Sequence, residues 1–239
     1  MSATPDQHDA LANPWLALHH GSHFVLDSDR PYLDAYNATL DESDSLHRIV
    51  FDLPPEPFLG MHDAPVVILS CNPSFSDGAV EQFETPGFRD ASMANLLTPG
   101  GTPIYSLQER FTATAGGQWW RRRLKGLLGD GALGYEELAQ RILSVEFHGY
   151  WSPKWNSLAI TLPSQHYSFG LVEAAVERGA VIILTRAERH WKQAVPTLIN
   201  YENLLTTKSQ RTAVISRGNL IEGGYSRVLR KLELASDRS

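Results

Sequence analysis

The sequence predicts an α/β fold, a three-layer α/β/α sandwich around a four-stranded parallel sheet. Three observations carry that expectation. Four short apolar runs, Pro65–Ser70, Arg141–Phe147, Ala180–Leu184 and Thr212–Ser216, have the length and the β-branched content of strands buried on both faces. Helix-compatible segments separate them, the alternation expected of βαβ units. Polar, aromatic or basic residues follow each run, and in an open parallel sheet the residues just beyond the strand ends meet the ligand.

Taken in order, residues 1–63 read as an irregular N-terminal extension packed on the core, with a short helix over Tyr32–Leu40. Leu53–Pro57 reads as an extended lead-in, because proline lacks a donor and restricts the residue before it. The α/β domain is expected to span 64–239. Its helices are expected at Gln118–Leu128, Tyr135–Gln140, Ser168–Arg178, Glu188–Asn200 and Gly224–Leu234. A long insertion, roughly Asp77–Gln140, lies between the first two strands and is expected to shape a pocket.

Composition narrows the function. The chain has 239 residues, 42% of them apolar, which is enough to build a core and rules out global disorder, collagen and coiled coil. The single cysteine, Cys71, excludes an intrachain disulfide and a Cys-only zinc site and fits a reducing, cytoplasmic setting. No apolar run approaches membrane-spanning length, and the opening residues lack the basic-then-apolar pattern of a targeting signal. A net charge of −6 argues against coating nucleic acid through bulk charge, but leaves room for a local basic groove.

Several motifs carry little. Gly129–Gly134 matches G-x-G-x-x-G, yet a helix rather than a strand precedes it, so it reads as a glycine-rich connection. Neither a P-loop nor a G-x-S-x-G elbow is present. His19, His20 and His23 lack a fourth ligand at metal spacing and read as a solvated cluster. The basic run Arg121–Arg123 with Lys125 follows Trp119 and Trp120; its arginines point in different directions round a helix, so one or two, first Arg121 and Arg122, are expected to reach phosphate.

The stretch Ala64–Asp77 decides the reading. A buried strand running into Asn72–Pro73–Ser74 resembles the first active-site motif of the uracil-DNA glycosylase superfamily, a strand followed by a Gly-x-Asp/Asn-Pro loop. As topology the resemblance covers about Pro65 to Leu232. Ser70 and Ser74 stand where that family often has glycine, and Ser216–Arg217–Gly218–Asn219 occupies the place of its His-Pro-Ser segment.

The resemblance implies a DNA glycosylase of a divergent branch, a hydrolase cutting the N-glycosidic bond of a flipped-out uracil-like or modified pyrimidine. Such an activity serves DNA repair or antiviral defence against phage. Asn72 would hold the attacking water. An amide is a poor general base, so departure of the base would lead the reaction. Phe75 or Phe88, with Phe83 a third candidate, would stack on the extruded base, and Tyr150 and His148 would meet its edge. Ser216 and Asn219 would contact the leaving base or a phosphate, and Arg186 and Arg217 would hold phosphate or developing negative charge. DNA is the expected partner, the chain is expected to act as a monomer, and neither metal nor organic cofactor is called for. Two competing readings are a binding module that holds a nucleotide or damaged base without cleaving it, and a hydrolase of free nucleosides.

Overall fold

A computed structural model of the chain describes residues 12–19, 23–128, 133–209, 214–221 and 223–236. His20, the first four residues of the Gly129–Gly134 motif and Thr212–Ala213 of the expected last strand lie outside the described residues.

The fold is mixed α/β, with a five-stranded, mostly parallel sheet. Its strands are β1 (Phe58–Gly60), β2 (Val66–Leu69), β3 (Ile142–Val145), β4 (Val181–Leu184) and β5 (Leu204–Thr206), in spatial order β1-β3-β2-β4-β5. Strands β3, β2, β4 and β5 run parallel, in a register that sets Leu69 beside both Val145 and Leu184. β1 pairs with β3 antiparallel, Phe58 opposite Val145.

Two expectations are corrected here. The sheet has five strands rather than four, because the segment read as an extension supplies the edge strand β1. Gly60 makes that possible: its φ is +117°, and a Cβ there would stand 2.1 Å from the Ile142 carbonyl oxygen. Among the described residues the last parallel strand is Leu204–Thr206, and the described part of the expected Thr212–Ser216 is not a strand. Ile215 is buried, but its N–H donates to the carbonyl of Arg123 on a helix and not to a neighbouring strand. The described part of that run, 214–216, thus follows the core without joining the sheet.

Among the described residues the helices are α1 (Arg30–Ala38), α2 (Asp77–Gln82), α3 (Phe88–Leu97), α4 (Ala115–Leu128), α5 (Tyr135–Arg141), α6 (Gln165–Glu177), α7 (Glu188–Ala194) and α8 (Gly224–Ser236). Pro31 sits in the first turn of α1, where a missing N–H costs nothing. α7 stops at Ala194, short of the Asn200 expected, because Pro196 cannot continue the helix and disfavours helical geometry before it.

Alternation along the strands divides the core in two. Val67, Leu69, Leu143, Val145, Ile182 and Leu184 face a cluster containing Val172 of α6 and Trp191 of α7. Val66, Ile68, Ile142, Val181, Ile183 and Leu205 face Leu124 of α4, Leu138 of α5 and Val228 of α8. The sheet is therefore buried on both faces, which explains the unbroken apolar runs of β2 and β4. Trp15 and Leu33 are fully buried in the first cluster, so the described part of the N-terminal segment shares the core of the main domain.

Candidate functional site

The carboxyl ends of β2, β3 and β4 release three segments side by side: Ser70–Cys71–Asn72, Glu146, and Thr185–Arg186. They open onto a cavity of about 360 Å³, at the low end of the range for small-molecule sites. Glu56, from the turn before β1, closes one side, and α4 closes another with Trp119, Trp120 and Arg123. Phe88 at the start of α3 and Trp151 complete the aromatic wall.

Asn72 is held with one end spent and the other available. Its Nδ2 donates to Ser152 Oγ at 2.8 Å, to the Pro73 carbonyl at 3.0 Å and to the Tyr150 carbonyl at 3.4 Å. The backbone around it is laced to the same segment, with Phe75 N–H donating to the Ser152 carbonyl and Ser152 N–H to that of Pro73. These bonds fix the amide's orientation and leave Oδ1 without a donor among the described residues, so it can accept from a water or a ligand.

Arg123 is the buried cation of the site. Its Nη2 donates to Ser70 Oγ and to Thr185 Oγ1, each at 3.2 Å, and the Thr185 hydroxyl donates on to the Leu69 carbonyl. Its guanidinium lies 4.6 Å from the Trp119 ring centre and 5.5 Å from that of Trp120. Burial, with Arg186 adding to it and Glu146 opposing, lowers the Arg123 pKa to about 10, so the group is charged at neutral pH. α4 reaches this position because its start packs closely: a Cβ on Gly117 would stand 2.0 Å from the Phe111 carbonyl oxygen.

Two carboxyls share the cavity. Burial pushes Glu146 up to about 8, reinforced by Glu56 and opposed by Arg123 and Arg186. Burial also pushes Glu56 up to about 7, against the hydrogen bond it accepts from the Tyr105 hydroxyl at 2.7 Å. Both residues border the opening with part of their surface. Even so, Glu146 Oε2 is closed to solvent and has no partner, as are Ser144 Oγ and Arg123 Nε. Three unpartnered polar atoms thus sit on residues that line one cavity. With Glu146 protonated at pH 7 and two guanidiniums charged, the cavity is net cationic. The Cys71 thiol, pushed up to about 12 by burial, is inert as a nucleophile.

Of the residues expected from sequence, Asn72, Phe88 and Arg186 line the cavity. The others lie outside its lining. Tyr150 is buried against the N-terminal segment, where its hydroxyl donates to Asp29 Oδ2 at 2.7 Å and accepts from Leu26 N–H. His148 is buried, and burial lowers its pKa to about 4. Phe75 packs half-buried against the second core cluster. Asn219 is spent on a loop, accepting from Ser209 N–H and donating to the Val214 carbonyl, and Ser216 abuts Gly126 of α4. Arg217 lies over the Tyr225 ring, and Arg121 donates to the Leu107 carbonyl while stacking on Tyr135. Arg122 is exposed on α4.

Glu56, Glu146, Arg123 and the tryptophans were missed as site residues. Placing the end of β3 at Phe147 hid Glu146, which is the first residue beyond Val145. Arg123 shared the fate of its charged neighbours, although it stands four residues after Trp119 on one helical face. His19 and His23 pair with Asp27 and Asp52 at the surface, and among the described residues no group of three or more His, Cys, Asp or Glu is placed to hold a metal. No described helix is long and apolar enough to cross a membrane. No family model, curated protein or solved structure matches the chain.

Proposed function

We propose that the protein is a DNA N-glycosylase of the uracil-DNA glycosylase type, acting on a base flipped into the cavity at the strand ends. The observation that carries this reading is the Asn72 amide, whose nitrogen is tied back and whose oxygen lacks a donor among the described residues, beside an aromatic-walled, cationic cavity. The layering accords with it: helices against both sheet faces suit a three-layer α/β/α sandwich, to which β1 adds an edge.

Asn72 Oδ1 positions a water beneath the anomeric carbon. As the glycosidic bond lengthens, the sugar becomes oxocarbenium-like and negative charge gathers on the base. Arg123 and Arg186 meet that charge in a site largely shielded from water, where fixed charges act most strongly. Phe88 forms the inner wall for the base and the exposed Trp119 the lip. Trp119 and Arg122 are three residues apart on α4 and both exposed, a pairing of ring and charge suited to a nucleic-acid strand at the entrance. The activity would serve repair or antiviral defence in the cytoplasm, by a monomer needing no cofactor.

The test is incubation with single-stranded and duplex DNA carrying candidate bases, followed by alkali to reveal abasic sites. Asn72→Ala is expected to lower kcat by about 10²–10³-fold while DNA binding persists, as for loss of one preorganised polar contact. Binding without abasic sites across the base panel would instead identify a binding module. Full activity in Asn72→Ala would move the chemistry elsewhere.

A further inference from the structure

Resting on the N-glycosylase reading of this cavity, we propose that Glu146 is the acid that protonates the departing base, and that this base is of cytosine type, with a ring-nitrogen acceptor beside an exocyclic amine.

The geometry begins with β3. Ser144 and Glu146 are two residues apart, line the same cavity, and each has a buried oxygen with no partner. The charged and titratable groups facing Glu146 come from every side: Arg123 of α4, Arg186 after β4, Glu56 before β1 with Tyr105 behind it, and Cys71 after β2. Glu146 and Arg123 form no ion pair, so the carboxyl is not consumed by the nearest helix cation. Burial keeps its proton on until about pH 8, which makes it an acid at neutral pH.

A carboxylic acid presents one O–H donor and one C=O acceptor side by side. Oε2 of Glu146 is closed to solvent, so its other oxygen is the one that meets the base, and the N3 acceptor of cytosine takes the acid's proton there. Uracil offers the O4 acceptor to the same oxygen, but gains less from the proton. Its carbonyls already delocalise the negative charge, and a site with cationic donors alone suffices for its departure. With an amine in place of one carbonyl, the cytosine anion is a poorer leaving group, and protonation at N3 removes its charge.

The step balances as a hydrolysis. The C1′–N1 bond breaks with its electron pair going to the base, and the Glu146 proton passes to N3, so the base leaves neutral. Water oxygen bonds to C1′ and sheds its extra proton to solvent, and the Glu146 carboxylate takes one back after the base has left.

The experiment uses the full chain with oligonucleotides carrying one deoxycytidine, 5-hydroxymethyl-deoxycytidine or deoxyuridine, and measures the freed base across pH 5–9. A cytosine-type base is expected to be released with kcat/KM at least about ten-fold above that for uracil. Glu146→Gln keeps the size and polarity of the group without a transferable proton. It is expected to lower kcat by about 10²–10⁴-fold with KM nearly unchanged and to abolish the loss of activity above pH 8. Release of uracil alone, or undiminished kcat in Glu146→Gln, overturns the inference and leaves the glycosylase reading standing. No base freed from any strand removes that reading as well. Should Glu146→Gln fail to fold, the wild-type profile decides: a fall above pH 8 supports the acid, and constant activity to pH 9 overturns it.

Discussion

Alkaline pH should weaken this fold, and Glu146 is the main reason. The carboxyl stands at about 8 in the folded chain against 4.5 for a solvated glutamate, because burial disfavours its charged form. A group with that displacement binds more protons folded than unfolded. Its stabilisation is therefore complete below about pH 4.5, and is lost as pH climbs to about 8. Each pH unit in that window withdraws about 1.4 kcal/mol, so full ionisation removes roughly 5 kcal/mol. Glu56, at about 7, behaves alike over a narrower window. Its charge also contributes to the rise of Glu146, so the two losses do not simply add.

Glu146→Gln abolishes the ionisation while keeping the shape. Thermal unfolding of wild type and variant at pH 5, 7 and 9 measures the effect. The variant should match wild type at pH 5 within about 1 kcal/mol and exceed it at pH 9 by roughly 10 °C in Tm, at about 2–4 °C per kcal/mol for a chain of this size. A wild-type Tm that stays level from pH 5 to 9 would refute the reasoning. So would a Glu146→Gln protein less stable than wild type at pH 9, since the carboxylate would then be a net stabilising partner of Arg123.

Three further expectations separate structural from functional residues. Tyr150→Phe should cost about 1–3 kcal/mol in urea unfolding, because it leaves the fully buried Asp29 without its hydroxyl partner, while ligand binding in the cavity stays unchanged. Gly60→Ala should destabilise by several kcal/mol or block folding, since the new Cβ would meet the Ile142 carbonyl at 2.1 Å in a left-handed backbone; soluble yield and circular dichroism report it. Trp119→Ala, at an exposed position on the cavity's lip, should weaken single-stranded DNA binding by about 1–3 kcal/mol in a fluorescence titration, with little change in Tm.

The central strands were legible without a structure, because Val66–Leu69 and Val181–Leu184 are continuous apolar runs suited to a sheet covered on both faces. The sequence also pointed to the residues beyond their carboxyl ends, and of those it singled out, Asn72, Phe88 and Arg186 line the cavity. Tertiary structure alone decided β1 and β5. Phe58–Gly60 and Leu204–Thr206 are three residues each, too short for periodicity to register, and they become strands by pairing with β3 and β4. The same holds for the residues that share the cavity with Asn72. Glu56 lies 16 positions before it and Arg123 lies 51 after it, distances over which no local pattern speaks. Nor does a sequence reveal that Tyr150 turns towards Asp29 while Glu146, four residues earlier, borders the cavity. Which side of the chain a polar group faces is fixed by the neighbours that desolvate it, and those neighbours exist only once the sheet has closed.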